Sequence, residues 1–289
     1  MTVPEPNAEF VDATRALGIE LESGDLGRLG DYLERLYRAN ETMNLTRVPP
    51  DAAWMRHVVD SLTLVPWLAS IEPAAPASGA RLANDRERAG PSILDVGSGG
   101  GLPGIVLAIV LSSIVPEARV TLLEATGKKA RFLHETARAL ELSSVRVVTA
   151  RAESAAQERD ERRHPHREGY DAVVCRAVAT LPVLVELTLP FVRPGGFVMA
   201  IKGERAASEL EEARHAIGLL GGAFVESKTT PTGTLLRIEK VSRTPRTYPR
   251  HPGEPARRPL LAPRDRSKSA PRPPCDPRSE PLDSTEANS

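Results

Sequence analysis

The chain has 289 residues, and its 38 Lys and Arg are balanced by 38 Asp and Glu. That length allows one large domain or two small ones around a sizeable core. No 18-residue apolar run is present, which excludes a membrane-crossing helix; residues 1–10 lack the basic start and apolar stretch of a secretory leader, so a cytoplasmic protein is expected.

From Asp25 to Met43, Leu26, Leu29, Tyr32, Leu33, Leu36 and Tyr37 recur at three- and four-residue spacings, which predicts an amphipathic helix. Pro49-Pro50-Asp51 ends that segment and caps a second predicted helix over Ala52 to Leu68. Residues 1–71 are therefore expected to form a helical cap. Residues 72–91, rich in Ala, Pro and charge, read as a loop.

Alternating strands and helices follow and imply a mostly parallel sheet. Strands are predicted at 92–96, 119–124, 145–149, 170–175, 196–201, 223–228 and 233–240, and helices at about 104–113, 127–141, 180–190 and 204–220. The last two strands flank Thr230-Pro231-Thr232-Gly233 with no room for a crossover, so they must pair as an antiparallel hairpin. Seven strands with the last antiparallel is the methyltransferase variant of the Rossmann-like, doubly wound α/β sheet. The domain is expected over 92–261. Segment 157–168, with four acids, four arginines and two histidines, reads as a solvated loop insertion. Residues 262–289 read as a disordered, basic, Pro-rich tail.

The run Ile93-Leu94-Asp95-Val96-Gly97-Ser98-Gly99-Gly100-Gly101-Leu102-Pro103-Gly104 places a glycine loop between the first strand and its helix, a nucleotide-cofactor pattern. Glycine spacing alone does not separate dinucleotide from adenosyl-sulfonium cofactors. Asp95 sharpens the choice. A pyrophosphate prefers a helix N-terminus free of nearby acid. S-adenosyl-L-methionine has no phosphate and carries a sulfonium and an ammonium, so an acid there is tolerable or useful. The bland alternative for Asp95 is a helix cap. Glu124 closes the second strand, 23 residues past Gly101, where its carboxylate can accept both ribose hydroxyls of either cofactor.

Charge is uneven along the chain. Lys240 to Arg278 holds 11 Lys and Arg against 3 Asp and Glu, a local charge of +8 balanced by −8 elsewhere. This suggests a polyanionic partner, against the bland reading of a solvated tail. Cys175 reads as a small core residue at a strand end, Cys275 lies among prolines, and neither has metal-ligand spacing, so no metal and no disulfide are expected. His57, among apolar helix residues, reads as a structural histidine.

These motifs together resemble the bacterial small-subunit ribosomal RNA guanine-N7 methyltransferases, also called glucose-inhibited division protein B. The matching stretches are Asn44-Leu45-Thr46, Arg56-His57-Val58-Val59-Asp60-Ser61-Leu62, the glycine loop, Gly127 to Leu133, Arg151-Ala152-Glu153, Cys175-Arg176-Ala177, Lys202-Gly203 and Thr244 to Leu260. The likeness spans about 25–261 and departs at Ser112-Ser113-Ile114-Val115, which reads as a small insertion. It implies a cytoplasmic enzyme acting on 16S rRNA or the small ribosomal subunit, with methylation at N7 of a guanine in the 530 loop, by family position 527. It also implies that Gly97 and Leu102, within the loop of Gly99 and Gly101, meet the methionine end of the cofactor, that Glu124 binds ribose, that Ala152 and Glu153 hold adenine, and that Arg176 reaches cofactor or base. Lys202 is expected at the same crevice as a second catalytic residue. Arg47, Lys128, Arg246, Tyr248 and Arg250 are candidate RNA contacts, with Tyr248 able to stack on a splayed base. Guanine N7 already has an in-plane lone pair, so the reaction requires no general base, and catalysis reduces to alignment and water exclusion. A small-molecule methyltransferase, a non-catalytic ribosome-assembly protein that binds RNA, and a dinucleotide oxidoreductase stay open as alternatives.

Overall fold

The computed structural model describes residues 3–72, 90–158, 166–230 and 232–262. Most of the 72–91 loop, the centre of the 157–168 segment, and the tail with Cys275 fall outside these residues.

Seven strands form one sheet in the order β3-β2-β1-β4-β5-β7-β6. They are β1 (Ser92–Val96), β2 (Arg119–Glu124), β3 (Val145–Thr149), β4 (Tyr170–Arg176), β5 (Val192–Lys202), β6 (Gly222–Thr230) and β7 (Gly233–Lys240). Pairing is parallel from β3 through β5; β7 runs antiparallel to both β5 and β6. The chain winds out from β1 in both directions, so a crevice opens between the carboxyl ends of β1 and β4. β5 begins at Val192 rather than 196, because Pro194-Gly195-Gly196 forms a bulge inside the strand instead of a turn before it.

Strand alternation feeds two cores. Ile93, Val120, Leu122, Ala172 and Val174 face a layer made by α1 (Ala8–Ala16), α2 (Ser23–Met43), α5 (Gly104–Ile114) and α6 (Gly127–Ala139). Leu94, Val96, Leu123, Val173 and Cys175 face the other layer, made by α7 (Ala152–Gln157), α8 (Leu181–Thr188) and α9 (Ala206–Leu219). Helix α5 is buried all round from Gly104 to Leu111, because α2 covers the side that the sheet does not. Ser112 and Ser113 lie in its last turn; Ser113 bonds Asp25 and Ser112 bonds Arg28, both on α2.

The N-terminal helices differ from expectation twice. Helix α1 is additional, started by Asn7, whose Oδ1 accepts the Phe10 amide at 3.0 Å. The expected single helix over 52–68 is instead a 3₁₀ turn (Pro50–Ala52), a π-turn (Trp54–Val59), α3 (Asp60–Leu62) and α4 (Val65–Ala69). Ser61 Oγ and Thr63 Oγ1 donate to the carbonyls of His57 and Asp60, and Pro66 lacks the amide that would continue the ladder.

Segment 157–168 is not a free loop where it is described. His166 is buried, stacked on Tyr170 and 2.8 Å from its hydroxyl. Arg167 donates to three backbone carbonyls of the segment after β7. Among the described residues, no helix is long and apolar enough to cross a membrane.

Candidate active site

The glycine loop is built from both sides. Gly97, Gly99 and Gly101 adopt φ of +72°, +55° and +98°, which favours glycine. From below, Tyr32 on α2 donates to the Gly100 carbonyl at 3.0 Å, and a Cβ at Gly100 would lie 2.7 Å from Leu36. From above, Glu124 Oε2 accepts the Gly99 amide at 2.9 Å while Oε1 accepts that of Thr126 at 2.7 Å. Each oxygen keeps a second lone pair, so Glu124 can order the loop and still accept a ribose hydroxyl.

Asp95 is fully buried, and its Oδ2 accepts the Gly104 amide at the start of α5 at 3.0 Å. The helix-cap reading therefore describes its contact here, and the carboxylate does not line the crevice. Burial pushes its pKa up to about 7, with the Gly104 and Ser98 hydrogen bonds opposing. Its Oδ1 has no hydrogen-bond partner among the described residues.

Two cavities open at the strand ends. The first, 260 Å³, is walled by Val96 of β1 and Gly97 just after it, Leu123 of β2, Ala150 to Glu153 after β3, Val178 and Ala179 after β4, Val183 and Leu187 on α8, and Gly253, Pro255 and Ala256. Its lining is mostly apolar, which suits a planar heterocycle. The second, 830 Å³, lies between the N-terminal helices and β5, and its rim carries Arg47, Arg56, Arg176, Lys202 and Arg205. The turn Arg176–Ala179 supplies walls to both, so the cavities adjoin there.

The sequence-predicted residues distribute unevenly over this geometry. Gly97, Ala152 and Glu153 line the first cavity, and Arg47, Arg176 and Lys202 the second. Leu102 packs its side chain into the core and offers its backbone to the loop. Arg176 is also committed. It donates to the Arg56 carbonyl at 2.7 Å, to Asp60 Oδ2 at 3.0 Å and to His57 Nδ1 at 2.8 Å. Its guanidinium thus fastens β4 to the N-terminal helices. His57 is buried and, accepting from Arg176 on Nδ1, donates from Nε2 to Thr46 Oγ1 at 2.9 Å. Burial and the Arg176 charge lower its pKa to about 3, so it is the structural, neutral histidine expected. Lys202 is paired with Glu209 at 2.7 Å and donates to the Ala179 carbonyl at 2.6 Å, which leaves it holding the turn rather than reaching outward.

Other RNA candidates separate likewise. Arg47 and Arg246 are exposed. Lys128 is exposed but leans on the Thr42 carbonyl at 3.2 Å. Tyr248 is half-buried and packs on the α8–α9 core. Arg250 grips buried Glu186 through both Nε and Nη2. Cys175 is buried, with its thiol pushed up to about 12, so the core reading holds.

Sequence reasoning missed Val178, Val183 and Leu187, which carry no pattern beyond apolar periodicity, and missed Asp60, Glu186 and Arg167 as partners. The one available signal was charge at positions the periodicity marks as buried. The quoted Asn44-Leu45-Thr46 stretch has a structural cause. Asn44 ends α2 at φ +51°, and Asn40 Oδ1 accepts the amides of Leu45 and Thr46 at 2.6 and 2.9 Å, which places Thr46 on His57.

A glycine loop under an adenosine-sized apolar cavity, on a parallel sheet whose last strand turns antiparallel, defines a Rossmann-like methyltransferase of the seven-stranded class. The sequence profile described as rRNA small subunit methyltransferase G matches residues 25–233. The chain is 42% identical over 249 residues to the ribosomal RNA small subunit methyltransferase G of Sorangium cellulosum, covering 86% of this chain and 92% of that one. It is 36% identical to the protein of the same name from Alkaliphilus metalliredigens, covering 86% and 96%. The chain belongs to the rRNA small subunit methyltransferase G family.

Proposed function

We propose that this enzyme transfers a methyl group from S-adenosyl-L-methionine to N7 of one guanine in the 530 loop of 16S rRNA, position 527 by family, in the cytoplasm. The observation that carries the reading is the meeting of two unlike cavities at Arg176–Ala179. One is small and apolar; the other is about three times the volume, rimmed by cations and built in part from the N-terminal segment.

The chain's residues fit the cofactor. Gly97 leaves a cradle that a Cβ would fill, since that atom would stand 3.0 Å from Val178. Glu124 offers free lone pairs at the end of β2, and the walls around Ala152 suit adenine. When bound, S-adenosylmethionine supplies an electrophilic methyl on a sulfonium.

The protein's part is to orient and to exclude water. The glycine loop is held rigid by Tyr32, Asp95 and Glu124. The turn at Ala177, itself at φ +55°, is held by Arg176 on one side and by Lys202 on the other. That turn is where cofactor and base must approach, so fixing it supplies alignment. No proton need leave N7, which agrees with a neutral His57 and a Cys175 kept as thiol. The exposed guanidiniums of Arg47 and Arg56 stand where flanking phosphates would pass.

The test is transfer of labelled methyl from S-adenosylmethionine to small subunits lacking the modification, with cleavage chemistry selective for 7-methylguanine. One modified site in the 530 loop is expected. Tight cofactor binding without transfer would keep the cofactor reading and discard the target.

A further inference from the structure

The outer wall of the first cavity comes from a segment beyond the matched stretch of the family profile, which stops at 233. Residues 243–258 cross the face of α7 and α8 and bring Gly253, Pro255 and Ala256 to the cavity. Fastenings along the segment hold it, among them Thr244, whose amide donates to Glu168 Oε1 at 3.1 Å. The Gly253 amide donates to Glu153 Oε1 at 2.8 Å, and Glu153 is 6% exposed and itself lines the cavity. Arg250 binds Glu186, which has no exposure at all, through its amide at 2.8 Å, Nε at 2.9 Å and Nη2 at 2.6 Å. Arg167 reaches the carbonyls of Thr244, Pro245 and Tyr248 at 2.8–3.1 Å. Gln157 donates to the Pro249 carbonyl at 2.9 Å.

The placement of these fastenings matters. Glu186 sits on α8 between Val183 and Leu187, which wall the cavity, so one helix supplies both the wall and the latch. A carboxylate with no exposure strongly favours keeping its cation, because water cannot replace it. The wall therefore stands before any ligand arrives, and the ligand does not bear the cost of ordering it.

We propose that residues 243–258 are a cofactor-retaining strap, in which Arg250 and Arg167 are positioning residues that hold Gly253–Ala256 against the adenosyl end of the cofactor. The assignment to that end follows from the lining: Leu123, Ala152, Val183, Leu187 and Pro255 present apolar surface suited to a purine, whereas the charged methionine end belongs near the glycine loop. The proposal rests on the reading of this cavity as the S-adenosylmethionine site.

The experiment measures binding of S-adenosylmethionine and S-adenosylhomocysteine to the full chain by calorimetry, with dissociation followed by stopped flow. Ala256→Leu places bulk in the cavity from an exposed position, so its melting temperature should match wild type while Kd rises roughly ten-fold or more. Arg250→Ala should raise Kd mainly through faster dissociation, and raise KM for the cofactor more than it lowers kcat. Should Arg250→Ala fail to fold, hydrogen exchange on wild type decides: saturating S-adenosylhomocysteine should slow amide exchange across 250–258. Wild-type affinity in Ala256→Leu, or unchanged exchange in the strap, overturns the proposal. A wild-type chain that binds neither compound overturns the cavity assignment itself, and the strap's role with it.

Discussion

The guanidinium of Arg176, at the end of β4, lies 3.0 Å from Asp60 Oδ2 on α3, and the two residues join opposite walls of the larger cavity. Thr232, on the β6–β7 hairpin, donates to the other oxygen of Asp60. One carboxylate thus links the N-terminal helices, the central sheet and the terminal hairpin at the place where the base is proposed to enter.

Because Asp60 is buried, Arg176→Ala leaves a carboxylate without its cation and should cost about 3 kcal/mol of stability as well as methyl transfer. Asp60→Asn removes the charge but keeps the shape and should cost less. In the double variant the orphaned charge is gone, so its loss should be smaller than the sum of the singles by more than ~1 kcal/mol. Additive denaturation midpoints would show that the pair is not coupled.

The strand pattern made the sheet legible: alternation and short apolar runs located all seven strands, and the two-residue connection between Thr230 and Gly233 fixed the antiparallel end. The glycine loop was legible because φ near +72° at Gly97 demands glycine. Partners were not. Nothing local in the chain distinguishes Arg176, which points at a buried Asp60 116 residues away, from Arg47, which faces solvent. Arg250 and Tyr248 read as an RNA strip because charge and an aromatic sit close in sequence. Their burial depends on Glu186 and on α8–α9 packing, contacts that sequence proximity does not encode. The π-turn at Trp54–Val59 was hidden because hydroxyl-to-carbonyl competition leaves the apolar spacing of a helix intact.

Gly97 and Gly99 share the left-handed backbone, so each change to Ala carries a strain of about 1 kcal/mol. Their surroundings differ. A Cβ on Gly97 would stand 3.0 Å from Val178, at the cavity wall, whereas one on Gly99 meets nothing nearer than the Gly97 carbonyl at 3.8 Å. Gly97→Ala should therefore weaken S-adenosylhomocysteine binding well beyond Gly99→Ala at similar melting temperature. Equal losses of affinity in calorimetry would remove Gly97 from the wall.

Asp95 and His57 set opposite pH dependences. The folded-state pKa of Asp95, about 7, lies above its ordinary carboxylate value, so its favourable contribution is complete at low pH and is lost as pH rises through 7. That of His57, about 3, lies below the usual 6.5, so its contribution is complete above 6.5 and is lost as pH falls toward 3. Between about pH 4 and 6.5 the two slopes oppose each other. Asp95→Asn keeps an acceptor for the Gly104 amide and removes one slope. Its urea stability should exceed wild type by an amount that grows from about pH 4 to 7 and levels off above that, on the order of 2–4 kcal/mol in all. A difference that stays constant over that range would place the titration elsewhere.

Arg47 and Arg56 are the cations of the larger cavity whose side chains make no ion pair among the described residues, in contrast to Arg176, Lys202 and Arg205, which face Asp60 and Glu209. A paired cation exchanges one anion for another on binding and gains little, whereas a solvated arginine releases a counterion from the nucleic acid. The salt dependence of RNA binding should therefore report the two free arginines. Removing both with Arg47→Ala and Arg56→Ala should flatten the plot of log Kd against log salt by about 1.4–1.8, at roughly 0.7–0.9 per phosphate contact. The affinity for S-adenosylhomocysteine should not change, since neither residue lines the smaller cavity. Filter binding of a 530-loop RNA across 50–300 mM salt gives the slope (~0.7 per contact for single strands). If the slope is unchanged while cofactor affinity holds, the RNA does not cross this rim, and the exposed Arg246 becomes the electrostatic contact to remove next.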